Sequence, residues 1–418
     1  VSVKAVTHLN RSLWSLVSGG LTSPRGFKAA GITAGLKASG KADLALLLAP
    51  GKAVCTGVFT KSVTRAACID LAIQRLQLTG GNVRAVLINS GQANACTGNR
   101  GLVDTLKVTE VLAGLLGLEI DQVLMCSTGV IGVPIPVQKL LLALPLLVKG
   151  LDDMGGNQAA QAILTTDLVD KQIAVEAELG GRVVRIGGMA KGSGMIHPDM
   201  ATMLGYITCD AGIPSADWSS MVTRAIDCSF NAITVDGDTS TNDAVIAFAA
   251  GPPLDRNYWG ALESGLVQVA QFLAKAIARD GEGANCLLEI KVDGASTDQE
   301  ARCIARAICG SSLVKTAIHG CDPNWGRIVA AAGRSGVAFQ LEDLDLWIGD
   351  CKLLESGNSL PFDQKEVVTY MRNRMRGRYL IDDCVTIKLV VGSGQGLGIS
   401  WGCDLSDQYI RINADYTT

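Results

Sequence analysis

The sequence predicts an α/β fold. Short apolar runs bounded by polar or glycine-rich turns recur along the chain. They alternate with longer stretches of helical periodicity, the pattern of layered sheets and helices. Apolar residues make up 48% of the 418, enough for a large core, and mean hydropathy is +0.28, as buried strands require. The length leaves room for two to three domain-sized units.

The first 25 residues read as an irregular arm that leads into a glycine-punctuated stretch. Residues 44–49, 55–59 and 82–88 read as strands, the last ending in a polar loop at 89–98. Residues 102–118 read as an amphipathic helix, because Leu102, Leu106, Leu112, Leu115 and Leu116 fall near a 3.6 period. A strand at 123–126 runs into Ser127-Thr128-Gly129, which by itself reads as a turn. A hydroxyl beside a bare backbone N–H at a strand end is also the equipment of an oxyanion site. Residues 140–148 form the longest apolar run, but Pro145 interrupts it and it falls far short of the roughly 20 residues that span a bilayer. It reads as a core helix. Residues 157–163 read as a helix and 181–188 as a strand.

In the second half, residues 202–209 read as a buried strand. Ser215 is placed to cap a helix with Trp218, Met221, Val222, Ala225 and Ile226 on one face. Residues 234–243 hold three Asp with Thr, Ser and Asn. They lack the glutamate that closes a calcium loop, so a hydrogen-bonded turn is expected. A long helix over 258–280 ends at Gly281-Glu282-Gly283, followed by a strand at 287–292 and a helix at 298–308. Asp363-x-x-Glu366 resembles a capping box opening a helix to Met375. The string Gly392-Ser-Gly-Gln-Gly-Leu-Gly398 imitates a dinucleotide fingerprint, but strand-like residues follow it, so a glycine hairpin is expected.

Several function classes drop out. Net charge is −3 with no basic block, which argues against nucleic acid as a partner. Thirteen Cys without a Cys-x-x-Cys read as small core residues of a reduced compartment. The three His, at 8, 197 and 319, show no ligand spacing, so no metal site is expected. No membrane span and no signal-peptide core in residues 1–16 are evident, and a soluble protein is expected.

The stretch Lys191-Gly-Ser-Gly-Met-Ile-His-Pro-Asp-Met-Ala-Thr-Met-Leu204 organises the rest. A glycine-rich loop and a proline lead to Thr202 at the mouth of a strand. The Thr202 hydroxyl could attack the Ala201 carbonyl, convert the peptide to an ester, and leave Thr202 as a new N-terminus after hydrolysis. Its α-amine, with an ordinary pKa of about 7.7–8.0, would then activate its own hydroxyl. Taken alone, Thr202 more readily just opens a strand.

That stretch resembles the self-cleavage motif of the ornithine acetyltransferase, or glutamate N-acetyltransferase, family of arginine biosynthesis. Six further strings match in order: residues 26–31, 89–98, 127–132, 234–243, Asp322-Pro-Asn-Trp-Gly-Arg327 and 412–418. The resemblance implies an αββα sandwich of the N-terminal-nucleophile layer order, with a smaller C-terminal α/β region. It implies cleavage between Ala201 and Thr202 into chains 1–201 and 202–418, and a heterotetramer of two copies of each. Thr202 would be the nucleophile, Thr128 and Gly129 the oxyanion hole, and Thr165, Lys191, Glu282, Asn413 and Thr418 the substrate contacts. Acetyl would pass from N-acetylornithine to glutamate through an acetyl-Thr202 ester. No cofactor would be needed, although some members take acetyl-CoA as donor. The compartment would be the cytoplasm or a plastid stroma, or alternatively the mitochondrial matrix. The sequence departs from the family pattern at Leu168, Asp199 and Cys286. Two other readings stay open: an N-terminal-nucleophile amidohydrolase with water as acceptor, and a nucleotide-binding module using the glycine loops.

Overall fold

The computed structural model describes residues 13–197 and 203–415. Ala201, Thr202, Asp199 and Thr418 lie outside them. Two sheets stack face to face. The first has six strands, in spatial order Ser15–Val17, Lys171–Leu179, Arg182–Lys191, Leu204–Cys209, Ala244–Ala249 and Val54–Phe59. The second has four: Lys28–Ile32, Leu44–Leu48, Ala85–Gln92 and Val123–Val130.

The period-2 alternation of strands sorts their side chains between layers. In Ala244–Ala249, Ile246 and Phe248 face the space between the sheets, with Leu47, Val86, Ile88 and Leu124 opposite them. Val245 and Ala247 point the other way, into a core shared with the helices Ser215–Asp227 and Trp259–Arg279. On the far side, Leu44, Leu46, Leu87 and Met125 pack beneath the helices Gly98–Leu116 and Val137–Lys149. The order is therefore helix, sheet, sheet, helix: the αββα sandwich. The helices Ala67–Thr79 and Gly156–Ala162 contribute to the inter-sheet core.

A third core begins at Cys286. Six strands form its sheet: Asn358–Ser359, Cys351–Glu355, Asp345–Ile348, Cys384–Val390, Leu287–Ala295 and Gly396–Cys403. This smaller α/β region packs onto the sandwich through Trp401, whose carbonyl accepts from Thr234 N at 2.9 Å. The packing boundary thus lies near residue 285, while the expected break at 201/202 falls inside the sandwich.

Most of the expected elements are present, and six readings need correction. The arm contains the strand Ser15–Val17, which pairs with Lys171–Leu179. The polar stretch after residue 88 is strand as far as Gln92, and Ser127-Thr128-Gly129 is strand, not turn, because the two run parallel in register, Ser90 opposite Thr128 and Gly91 opposite Gly129. Ser215 is the first residue of its helix and not the cap; its hydroxyl bonds Gly80 O. Asp363 caps its helix by accepting from Lys365 N and Glu366 N, without the return bond of a full capping box. The glycine loop before Gly396–Cys403 is a crossover and not a hairpin, because Leu287–Ala295 lies between the two strands it joins. A strand follows it, so there is no helix N-terminus to receive a phosphate.

No helix among the described residues is long and apolar enough to cross a membrane, and no cluster of three His, Cys, Asp or Glu gathers there. All thirteen cysteines are unpaired, and most are buried. Burial pushes the thiols of Cys68 and Cys126 up to about 11 and about 12, which leaves them inert at neutral pH.

Candidate active site

The strand Arg182–Lys191 pairs antiparallel with its neighbour Leu204–Cys209, Lys191 opposite Leu204. The segment 192–203 therefore leaves one strand of the first sheet and returns to the adjacent one. The returning end is fixed twice. Met203 N donates to Asp243 Oδ1 at 2.8 Å, and Ala244 N donates to Met203 O at 3.2 Å. The departing end is fixed by Asp236, which accepts from Met195 N at 2.6 Å and Ile196 N at 2.7 Å. The Asp-rich string 234–243 is thus the expected hydrogen-bonded turn, and its carboxylates hold the central loop.

The two sheets meet at this end through Asn242. Its side-chain amide donates to Ser127 O at 2.9 Å and also to Ala93 O, both in the second sheet's segments. Ser127 in turn donates to Asn89 Oδ1 at 2.6 Å. Buried amides and hydroxyls that satisfy one another in this way fix a unique geometry. Here they set Thr128 and Gly129 against the start of the strand Ala244–Ala249, the neighbour of Leu204–Cys209.

A cavity of about 360 Å³ opens at this junction. Thr128, Gly129, Thr165, Lys191, Glu282 and Asn413 all line it, so every described residue expected at the site reaches one space. Lys191 is buried. Its Nζ lies 3.5 Å from Thr128 Oγ1 and 4.0 Å from Asp167 Oδ2. Burial lowers its pKa, and Asp167 opposes that shift. Glu282 is oriented by Asn413 Nδ2, 2.9 Å from Oε2, and its own N–H donates to Ser193 O at 2.9 Å. A Cβ on Gly194 would come within 2.6 Å of the Glu282 carboxyl, so the bare backbone there lets the carboxylate approach the loop. Gly129 has φ +127°, a conformation side chains rarely adopt.

Three residues that sequence reasoning passed over support the site. Asp167 accepts from Gly192 N at 2.6 Å, Thr165 N at 3.0 Å and Lys171 Nζ at 2.7 Å. Lys171 is buried between Asp167 and Asp280 Oδ2, the latter at 2.6 Å. Burial alone would raise the Asp167 carboxyl, but Lys171 and Lys191 outweigh it and hold it well below the usual range. Asp243 is the reverse case. Burial raises it well above the carboxylate range against the pull of Met203 N–H and Lys191, and its Oδ2 has no hydrogen-bond partner among the described residues. The only signal for these residues was their membership of polar strings, which turn formers share. At the Leu168 departure the side chain is exposed, and the backbone N–H bonds Asp280 at 3.1 Å. Cys286 is buried in the third core.

The arrangement offers a hydroxyl and a backbone N–H at a strand end, one buried ammonium and one carboxylate. The charges suit the carboxylate and ammonium of an α-amino acid. The strand end suits a developing oxyanion.

Comparison with known proteins gives a consistent result. The ArgJ family model matches residues 28–418. The chain is 64% identical over 418 residues to the arginine biosynthesis bifunctional protein ArgJ of Prochlorococcus marinus (strain MIT 9313), covering 100% of this chain and 98% of that one. It is 63% identical over 408 residues to the protein of the same name from Parasynechococcus marenigrum (strain WH8102), covering 98% of each. A crystal structure of the Bacillus halodurans ArgJ protein shares 41% identity and covers 51% of this chain and 100% of its own, with a TM-score of 0.48.

Proposed function

We propose a mechanism from one premise: the chain belongs to the ArgJ family. It is an acetyltransferase of arginine biosynthesis, and it moves acetyl from N-acetylornithine to glutamate. The observation that carries the mechanism is the convergence of Thr128, Gly129, Lys191 and Glu282 on one cavity, beside the strand that begins two residues after Thr202.

The chain first cuts itself. The Thr202 hydroxyl adds to the Ala201 carbonyl, the C–N bond breaks, and the acyl group rests on oxygen as an ester. Water hydrolyses the ester and leaves chains 1–201 and 202–418. Asp243 and Asp236 hold the two sides of the loop while this happens. In transfer, Thr202 Oγ attacks the acetyl carbonyl of N-acetylornithine and its α-amine takes the hydroxyl proton. The oxyanion rests on Thr128 Oγ1–H and Gly129 N–H. The C–N bond breaks, the proton passes to the leaving amine, and ornithine departs. The glutamate amine then attacks the Thr202 ester by the same steps in reverse. Lys191 pairs with the substrate carboxylate and Glu282 with the ammonium, while Thr165, Asn413 and Thr418 complete the contacts. Acetyl-CoA is a second donor, which accords with the bifunctional relatives. The mature protein is a heterotetramer of two cut pairs, in the cytoplasm or a plastid stroma.

N-terminal sequencing and intact mass test this reading. Mature protein should yield a chain beginning Thr-Met-Leu-Gly, and brief exposure to N-acetylornithine should add one acetyl to that chain. An uncut active protein overturns the mechanism. Acetylornithine breakdown at equal rate with and without glutamate would instead favour an amidohydrolase.

A further inference from the structure

A second and larger cavity, about 590 Å³, reaches His197 in the central loop. Lys61, His197, Thr239, Arg306, Gly310 and Arg334 line it. Its walls come from both units of the fold: Lys61, His197 and Thr239 from the sandwich, Arg306 and Arg334 from the smaller region. Seams between units are favoured places for ligands.

Among the described residues, the charged side chains that line this cleft are all basic. The chain as a whole has 37 basic against 40 acidic residues, yet no Asp or Glu lines the cleft among the described residues. Arg306 bonds the Cys303 sulfur at 3.6 Å and Arg334 bonds Ala307 O at 3.4 Å, and neither makes an ion pair with a carboxylate among the described residues. Two guanidinium groups that face one cleft without a carboxylate partner favour an anion between them. Guanidinium groups in particular match phosphate by paired N–H donors.

The cleft also adjoins the site of chemistry. His197 lines the cleft, while Gly194 and Met195 line the smaller cavity. Thr239 lines the cleft, while Ser240, Thr241 and Asn242 line the smaller cavity. The same two short segments therefore wall both spaces. A ligand with phosphates in the cleft and a reactive group on a flexible arm could span them.

We propose that this cleft binds the phosphate-bearing nucleotide end of acetyl-CoA through Arg306 and Arg334, and so serves only the second donor. This rests on the reading of acetyl-CoA as a donor at Thr202. In that half-reaction Thr202 Oγ attacks the thioester carbonyl, the C–S bond breaks, the hydroxyl proton passes by way of the α-amine to the thiolate, and free CoA leaves. N-acetylornithine carries no phosphate and does not use the cleft. The competing account gives the arginines structural work: Arg306 offsets the C-terminal dipole of the helix Asp298–Cys309, and Arg334 satisfies a carbonyl. That account predicts equal effects on both donors.

The test compares the two donors in Arg306→Gln/Arg334→Gln and in Arg334→Gln alone, since the exposed Arg334 can be changed without disturbing a core. Calorimetric binding of CoA is measured beside activity. The double variant should raise KM for acetyl-CoA at least about tenfold, as loss of charge-assisted phosphate contacts would. Its kcat and KM with N-acetylornithine should stay within twofold, and 3′,5′-ADP should inhibit the parent with acetyl-CoA only. Unchanged KM for acetyl-CoA, or equal losses with both donors, overturns the assignment. A parent that neither uses nor binds CoA overturns the second-donor reading and the site together. A parent that binds CoA without using it, and loses binding in the double variant, supports the site and overturns only the donor reading.

Discussion

Replacing Gly129 by Ala would put a methyl group where the second sheet leaves no room. Its Cβ would sit 2.3 Å from Gly91 C, 2.4 Å from Gly91 O and 2.8 Å from Gln92 N, all backbone atoms of the paired strand. Ordinary carbon contacts begin near 3.5 Å, so the strand end must shift by about 1 Å. The φ of +127° adds strain on the order of 1–3 kcal/mol. An oxyanion donor works only within a few tenths of an ångström of its place, and losing one costs about 10²–10³ in rate. Gly129→Ala should therefore slow both self-cleavage and acetyl transfer by about that factor. Gly132→Ala is the control: its φ is +84°, but no atom lies within 4 Å of the added Cβ. It should lose stability and keep its transfer rate. Cleavage is followed by intact mass and transfer by ornithine release, with circular dichroism to confirm folding. A folded Gly129→Ala protein that cleaves and transfers within about threefold of the parent would refute the oxyanion assignment.

Thr202→Ala should give one uncut, inactive chain by intact mass, and Thr128→Ala should slow cleavage and transfer together; a cut Thr202→Ala protein would remove the nucleophile. Asp167→Asn leaves the buried Lys171 with one carboxylate in place of two. Breaking such a pair costs roughly 3–5 kcal/mol, to be read by denaturant unfolding in the uncut background. The depressed Asp167 carboxyl stabilises the fold above its unfolded value of about 3.9, and that contribution fades as pH falls below it. The variant should therefore show a flatter acid limb, and an unchanged limb would count against the pairing. For Asp243 the sign reverses: a raised carboxyl makes the folded state lose stability as pH climbs from about 3.9 through the folded value. Asp243→Asn keeps an acceptor for Met203 N–H and should remove that slope; a retained slope would place the titration elsewhere.

Much of the fold could be read from pattern because the core obeys periodicity. The five apolar residues picked for the helix Ser215–Asp227 are the five it buries. Periodicity failed where polar residues are buried. Asn89 and Ser127 look like loop formers, yet they stay in the ladder because they bond each other and Asn242 covers Ser127 O. Asp167 and Asp243 were missed for the same reason: a carboxylate satisfied by backbone N–H groups leaves no trace in local sequence. The crossover at Gly392 was misread because strand order depends on Leu287–Ala295, which lies about a hundred residues earlier. A hydroxyl beside a bare N–H at a strand end allowed an oxyanion site at Thr128 and Gly129, but choosing that role for them, and the roles proposed for Lys191 and Glu282, came from family resemblance.

The break expected at 201/202 falls between two strands that are neighbours in one sheet. One six-stranded sheet would then be shared by two molecules that were once one. Such a protein folds as a single polypeptide and unfolds as two, so reassembly after denaturation becomes a bimolecular encounter that dilution weakens. The route by which it was made is closed to it afterwards, and its lifetime depends on the barrier to coming apart.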